Sequence, residues 1–398
     1  RSDCRVCHSP LEPVLDLGPL TLNAFPATLA ARDRIPSARV QLVVCTSCGL
    51  VQLDRTVAPD LLYRTYHYRS GINESMVAEL ETIVRAAAQR VRLGTHSYVL
   101  DIGANDGTLL AQYETVCAHV PQRIAVEPAR NLARDLGQHA DWILNDYFPD
   151  TALVRGFPGR FSIITAIAMC YDLEDPRAFF EAIHLLLHED GIAIVQFQDL
   201  GQQIQAAAFD NCCHEHLEYY TLWSLMGITD QVGLQVVKVE QTPINGGSLR
   251  VYLRQARREP HHASVLAQLY QEADQGLSTA ALRAGDLDAF VRFAQRVERA
   301  QTQIQAVVQP VIDQGKTLDI YGASTKGNIL LQVLGIGPQQ ARRAIDRSPY
   351  KTGLHTLTGI PIVGEEVGRQ DPAAVWLSPI WQFRESVLRR EQWYLEQG

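Results

Sequence analysis

The stretch Tyr98-Val-Leu-Asp-Ile-Gly-Ala-Asn-Asp-Gly-Thr108 decides the fold. An apolar, strand-like run reaches an acid, Asp101, then a turn containing Gly103, Asn105 and Gly107, and an amphipathic helical pattern begins at Leu109. Strand, glycine turn and helix in that order are the first step of a parallel α/β sheet. The acid-x-Gly-x-x-x-Gly spacing is not the Gly-x-Gly-x-x-Gly of pyrophosphate binders, whose glycines bring backbone N–H groups against phosphate. It suits a ligand without phosphate that carries an ammonium for Asp101 to accept from. The next strand, Arg123-Ile-Ala-Val-Glu127, ends in an acid about twenty residues later, where a carboxylate can accept both hydroxyls of a ribose. Asp146, in Asn145-Asp-Tyr-Phe148, is placed to meet an adenine amino group. These features together point to S-adenosylmethionine (SAM); the plainer alternative is a strand, turn and helix with no ligand.

The alternation continues through Phe161–Ala166 and Gly191–Phe197 as strands, with a helix between them over Asp175–Leu187. Ala166 and the carboxyl ends of these strands are expected to line the crevice where cofactor and acceptor meet. At 398 residues the chain exceeds one ordinary core, so more than one domain is expected. A net charge of −8 gives no general attraction to nucleic acid or to anionic membrane. No apolar run is long enough to span a bilayer, and the composition is that of a cytoplasmic enzyme.

Four of the eight cysteines form two pairs, Cys4-x-x-Cys7 and Cys45-x-x-Cys48, the spacing of a closed tetrahedral zinc site. Two disulfides or a redox pair are the alternatives. Short strands and turns are expected between the pairs. An aromatic link, Tyr63-Arg-Thr-Tyr-His-Tyr68, leads into a helix from Glu74.

Farther on, Cys213-His-Glu-His216 sits among acids and tyrosines. In an extended chain His214 and His216 would point to one side and Glu215 to the other. Catalysis, a metal and a hydrogen-bonded structural patch are all compatible with that pattern. In Asn245-Gly-Gly-Ser-Leu-Arg250, the glycine N–H groups, Ser248 and Arg250 could hold an anion. From Pro260 to about Gln309 the chain is polar and helical in period. A second strand–turn–helix follows at Thr317-Leu-Asp-Ile-Tyr321-Gly-Ala-Ser-Thr-Lys326-Gly-Asn328, with a turn that suits phosphate. Its next strand reaches Asp346 and then Tyr350 and Lys351.

In this order the motifs resemble the SAM-dependent C-methyltransferases that act on nucleotide-linked deoxysugars. The resemblance spans essentially the whole chain: the four cysteines, Leu17-Gly-Pro-Leu20 with Asn23-Ala-Phe25, the Asp101–Gly107 turn, His214-Glu-His216, Gly246-Gly-Ser-Leu-Arg250, and Tyr321 with Lys326-Gly-Asn328. It implies a zinc module (1–70), a SAM-binding Rossmann-like domain (71–200) and a Rossmann-like nucleotide-sugar domain (201–398), with the reaction in the cleft between the last two. It also implies methylation beside the ketone of a TDP-linked keto-deoxysugar, by a monomer or weak oligomer. His216 matches the family's proposed base, with His214, Glu215 and Tyr68 as partners. Asn245, Ser248, Arg250, Tyr321, Lys326, Asn328, Tyr350 and Lys351 would hold the nucleotide sugar. The chain departs from the family at Cys213 (commonly Tyr), Asn245 and Asp172 (each often His), which changes the polar lining of the acceptor pocket. O- or N-methylation, or non-methylating use of SAM, is the alternative chemistry.

Overall fold

The computed structural model describes residues 1–257 and 260–396, so Gln397 and Gly398, at the end of the expected C-terminal domain, lie outside the described residues. The chain divides into two compact units, each discontinuous in sequence. Unit one takes Arg1–Pro13, Val43–Gln202 and Glu215–Ala289; unit two takes Val14–Leu42, Gln203–His214 and Phe290–Gly398. Strands β1 (Leu11–Thr21) and β2 (Ser37–Cys45) are neighbours and much longer than the short strands expected between the cysteine pairs. Their far ends and the turn between them belong to unit two, while both cysteine pairs belong to unit one.

Unit one is built on β3 (Val51–Leu53), β4 (Tyr98–Ile102), β5 (Gln122–Val126), β6 (Trp142–Leu144), β7 (Phe161–Ile167), β8 (Leu187–Gln198), β9 (Glu218–Tyr219), β10 (Leu234–Thr242) and β11 (Ser248–Gln255). Strands β3 and β9 pair antiparallel. The other seven form one sheet in the order β10-β11-β8-β7-β4-β5-β6. Strands β6, β5, β4, β7 and β8 run parallel, and β11 and β10 add antiparallel. The sheet therefore takes in residues beyond 200.

Side-chain alternation explains why the sheet is covered on both faces. Val99, Ala125, Ile163 and Ile194 share one core with Leu80 and Ile83 of the helix Glu74–Ala88 and Leu110 of the helix Thr108–Val116. Leu100, Ile124, Ile164 and Val195, each one position along, share the other with Phe179, Phe180 and Ile183 of the helix Pro176–Leu186. Each such buried side chain contributes about 1.5–3 kcal/mol, and a one-residue slip would exchange the two faces. The order reverses between β4 and β7: the chain proceeds from β4 outward through β5 and β6, then returns to β7. A crevice opens at the carboxyl ends of the strands at such a reversal.

Unit two carries β12 (Leu318–Tyr321), β13 (Ala344–Asp346), β14 (Ile362–Gly364) and β15 (Val375–Leu377) in the order β14-β13-β12-β15, all parallel. Ser324 caps the helix Thr325–Leu334 by accepting the Gly327 N–H at 2.9 Å. The polar stretch after Pro260 forms three helices, Ala263–Asp274, Thr279–Arg283 and Asp288–Asp313. Among the described residues no helix is long and apolar enough to cross a membrane.

Candidate active site

At the end of β4 the chain turns through three left-handed residues, Gly103 (φ 72°), Asn105 (φ 52°) and Gly107 (φ 83°). A Cβ on Gly103 would lie 2.8 Å from the Met169 side chain, so glycine is required for space as well as for backbone angle. Asn105 holds two segments together. Its N–H donates to Glu127 Oε2 at 2.8 Å, its amide donates to the Tyr68 carbonyl at 3.1 Å, and its Oδ1 accepts the Ser70 N–H at 3.0 Å. The Tyr68–Ser70 backbone is thereby fixed to the glycine turn.

Asp101 is buried and accepts the Thr165 hydroxyl at 2.6 Å. Burial pushes its pKa up to about 7, the Thr165 bond opposing and Glu127 adding. A cationic ammonium is what this carboxyl lacks. Glu127 accepts the Ala129 N–H on Oε1, also at 2.8 Å, so each oxygen keeps a lone pair for a ribose hydroxyl. The residues present therefore fit SAM. Ala166 is fully buried in β7 opposite Ile102 and supports the crevice from beneath its surface. Asp146 is exposed and paired with Arg64 at 3.0 Å, so an adenine amino group would have to share it.

Elsewhere in unit one, the His216 ring meets Tyr171 edge-on at 4.5 Å between centroids. Tyr171 lies in the segment after β7 whose Met169 abuts Gly103. Glu215 is 5% exposed, its carbonyl accepts the Tyr63 hydroxyl at 2.8 Å, and its Oε2 has no hydrogen-bond partner. The pattern is not extended here: residues 214 and 215 form a turn, so the two histidines do not share a side by strand alternation. His214 is buried in unit two with Nε2 2.9 Å from the Ala38 carbonyl, a structural contact and not the expected partnership with the base.

The four cysteine sulfurs lie within 4.8 Å of one another, with Cys4–Cys48 at 3.5 Å and Cys7–Cys45 at 3.4 Å. Tetrahedral zinc with bonds of about 2.3 Å needs sulfurs roughly 3.7 Å apart, so the set fits the ion closely. The Cys4 sulfur pushes the Cys45 thiol up to about 11, and only a cation would let all four ionise together. The Cys4 sulfur is further steadied by the Gln52 amide at 3.3 Å and the Val6 N–H at 3.4 Å. All four ligand positions are sulfur, which makes the site structural.

Several residues expected to hold a nucleotide sugar are committed elsewhere. Arg250 is 4% exposed in β11 and bonds Glu79 at 2.6 Å, Gln196 at 2.9 Å and Glu240 at 3.3 Å, which leaves its guanidinium no face for a diphosphate. Ser248 donates to the Ile244 carbonyl at 2.9 Å, and the Gly246 and Gly247 N–H groups bond Pro243 and Ile244 within the same turn. Asn245 takes the left-handed position there, at φ 58°. The anion cradle expected at this turn is therefore closed. In unit two, Asn328 is 1% exposed and clamps Asn23, Ala24 and Leu357 at 3.0–3.2 Å. Tyr321 bonds Glu391 at 2.6 Å, Glu365 at 3.1 Å and Arg390 at 3.0 Å. Lys351 donates to the Ala323 carbonyl at 2.6 Å and lies over the Phe25 ring at 4.8 Å. Lys326 is half-buried; burial lowers its pKa while Asp210 opposes. Tyr350 is 60% exposed.

Residues 4–63 match the family description "Putative zinc binding domain", residues 72–239 "Methyltransferase domain", and residues 243–398 "C-methyltransferase C-terminal domain". Together the three matches run through almost the whole chain and describe a methyltransferase with a zinc-binding N-terminal segment and a C-terminal domain of the C-methyltransferase type. The C-methyltransferase NovU of Streptomyces niveus is 28% identical over 416 residues, spanning all of this chain and 93% of NovU. Among solved structures, mitomycin 7-O-methyltransferase MmcR is similar at 15% identity and a TM-score of 0.37 over 46% of this chain and 55% of that one. Magnesium protoporphyrin IX methyltransferase from Synechocystis is similar at 11% identity and a TM-score of 0.34 over 46% and 82%. The fold itself rests on the strand order above.

In this protein, sequence reasoning missed Thr165 and the Arg5–Glu218 pair at 3.7 Å. Thr165 could have been found: as a hydroxyl inside an otherwise apolar strand, it needs a buried acceptor. Nothing local marks Arg5, whose partner is more than two hundred residues away.

Proposed function

We propose that this protein methylates a carbon beside the ketone of a nucleotide-linked keto-deoxysugar. The observation that carries the reading is His216 against Tyr171, in the unit that also holds the Gly103–Gly107 turn. A C–H beside a ketone becomes nucleophilic only when its proton is removed, so the site needs a base and a hydrogen-bond donor for the resulting enolate oxygen. Neutral imidazole is suited to that removal near physiological pH. SAM, when bound, supplies an electrophilic methyl on a sulfonium. Glu127 and Asp101 would hold the donor's ribose and ammonium, and Asn105 ties the Tyr68–Ser70 segment to the same turn. His216 carries the substrate proton away to solvent after transfer, and the ketone is restored. Positioning supplies much of the rate, because the carbon must approach the methyl in line.

Unit two is the nucleotide side in this reading. Exposed Tyr350 offers a surface for the base, and Lys326 beside the capped helix start offers a charge for the diphosphate. Cytoplasmic placement is part of the same reading, since four cysteine ligands persist as thiolates under reducing conditions. The test is incubation with [methyl-13C]SAM and TDP-4-keto-6-deoxy sugars, followed by carbon NMR of the product. A methyl carbon coupled to a quaternary or tertiary carbon supports the reading; a methyl on oxygen or nitrogen overturns it.

A further inference from the structure

The turn after β7 holds a second polar group, Asp172, next in sequence to Tyr171. The Asp172 N–H closes the turn onto the Met169 carbonyl at 3.0 Å, and the same turn sets Met169 against Gly103 and Tyr171 against His216. Asp172 Oδ1 is buried without a hydrogen-bond partner, and so is Oε2 of Glu215. Among the described residues, neither of these two acids has a cationic partner. The nearby Glu218 has Arg5 at 3.7 Å and accepts the Leu173 N–H at 3.1 Å. A buried polar atom left unpaired costs about 1–3 kcal/mol, which an incoming ligand group can recover. Asp172 is near enough to the carboxyls of Glu215 and Glu218 for both to act on it, which favours retention of a proton.

From this arrangement we propose that Asp172 is a further catalytic residue, held as the neutral acid, which donates its proton in a hydrogen bond to the ketone oxygen of the acceptor. The donor strengthens as the oxygen becomes an enolate, so it acts in the transition state more than in the ground state. Asp172 keeps its proton through the cycle. His216 takes the carbon-bound proton, the carbon gains the methyl as its bond to the donor's sulfonium sulfur breaks and leaves a neutral thioether, the C=O double bond re-forms, and one proton leaves to solvent. Burial raises the Asp172 pKa, and the charges of Glu215 and Glu218 raise it further; Cys170 and Tyr220 also face it. The proposal rests on the carbon-methylation reading for its substrate, while the proton on Asp172 stands independently of it.

Isotope-edited infrared difference spectra of wild type and Asp172→Asn at neutral pH read the proton directly, with or without substrate. The proposal expects a protonated-carboxyl band in wild type that is missing from the variant; absence of that band overturns it, whatever the reaction is. With turnover, kcat of the wild type falls as pH rises through the Asp172 dissociation. Asp172→Asn keeps an N–H donor and loses that alkaline limb, whereas Asp172→Ala lowers kcat by about 100-fold with KM little changed. Glu215→Gln, which removes a neighbouring charge, moves the limb to lower pH and serves where the Asp172 variants do not fold. An alkaline limb unmoved in both Asp172→Asn and Glu215→Gln overturns the donor role. Failure of wild type to methylate carbon would remove the substrate reading alone, and the infrared band would then decide the fate of the proton.

Discussion

In the proposed reading, Asp101 and His216 divide the work at the scale of single residues. Because burial raises the folded-state pKa of Asp101 to about 7, its contribution to stability is complete below the ordinary aspartate range and is lost as pH rises through about 7. A cationic ammonium reverses this by favouring the ionised form. SAM affinity is therefore expected to rise about tenfold per pH unit up to about 7 and then level off, while Asp101→Asn binds weakly at every pH. Calorimetric titrations from pH 5 to 8 check the slope; a flat wild-type profile would contradict the assignment. His216→Asn removes the base and leaves the cofactor contacts, so kcat should fall by about 100-fold or more with SAM affinity nearly unchanged. Turnover and calorimetry on the same preparation separate the two effects. Both residues drew notice because each stands in a short local pattern, an acid near the end of a strand and a histidine beside an acid-rich turn. The fate of Arg250 was not readable: its partner Glu79 lies 171 positions away, and no local pattern says that a guanidinium will be used up internally.

Among the elements, the glycine turn and the Asn328 clamp make opposite tests. Gly103→Ala places a Cβ 2.8 Å from Met169 at a left-handed φ, at a cost of about 1–3 kcal/mol. A lower melting temperature and at least tenfold weaker SAM binding are expected together. Asn328→Ala removes three hydrogen bonds to Asn23, Ala24 and Leu357, so urea unfolding should show a loss of about 1–3 kcal/mol. Weaker nucleotide-sugar binding at unchanged stability would instead restore Asn328 to the substrate-binding role that the sequence suggested. Strands β4 and β12 were legible because continuous apolar runs, buried along most of their length, lead into glycine or small-residue turns. The clamp was not legible, since it joins Asn23 to a residue 305 positions later. The motif Asn23-Ala-Phe25 and the motif Lys326-Gly-Asn328 were each visible, but not that they meet.

At the scale of the whole molecule, the paired cysteines explain how a chain whose units interleave keeps its N-terminal segments in place. Cys4 and Cys7 belong to the first segment of unit one and Cys45 and Cys48 to the next, with residues 14–42 in unit two between them. Zinc would tie those two segments across that excursion. Cys45→Ser should lose bound metal by elemental analysis and lower the melting temperature substantially, because structural zinc binding free energy is folding free energy. Wild-type stability with no metal would contradict this. The zinc site was legible from spacing alone, whereas the interleaving was not, because a linear reading assigns each stretch to one domain. The central claim remains that carbon is activated by removal of its proton at His216. Its most direct test is proton NMR of a TDP-4-keto-6-deoxy sugar incubated with enzyme and S-adenosylhomocysteine in deuterated water. Loss of the signal beside the ketone with wild type, and its persistence with His216→Asn, is the predicted result. Methyl transfer to carbon by a wild-type enzyme that exchanges no deuterium, or equal exchange by both proteins, would contradict the account.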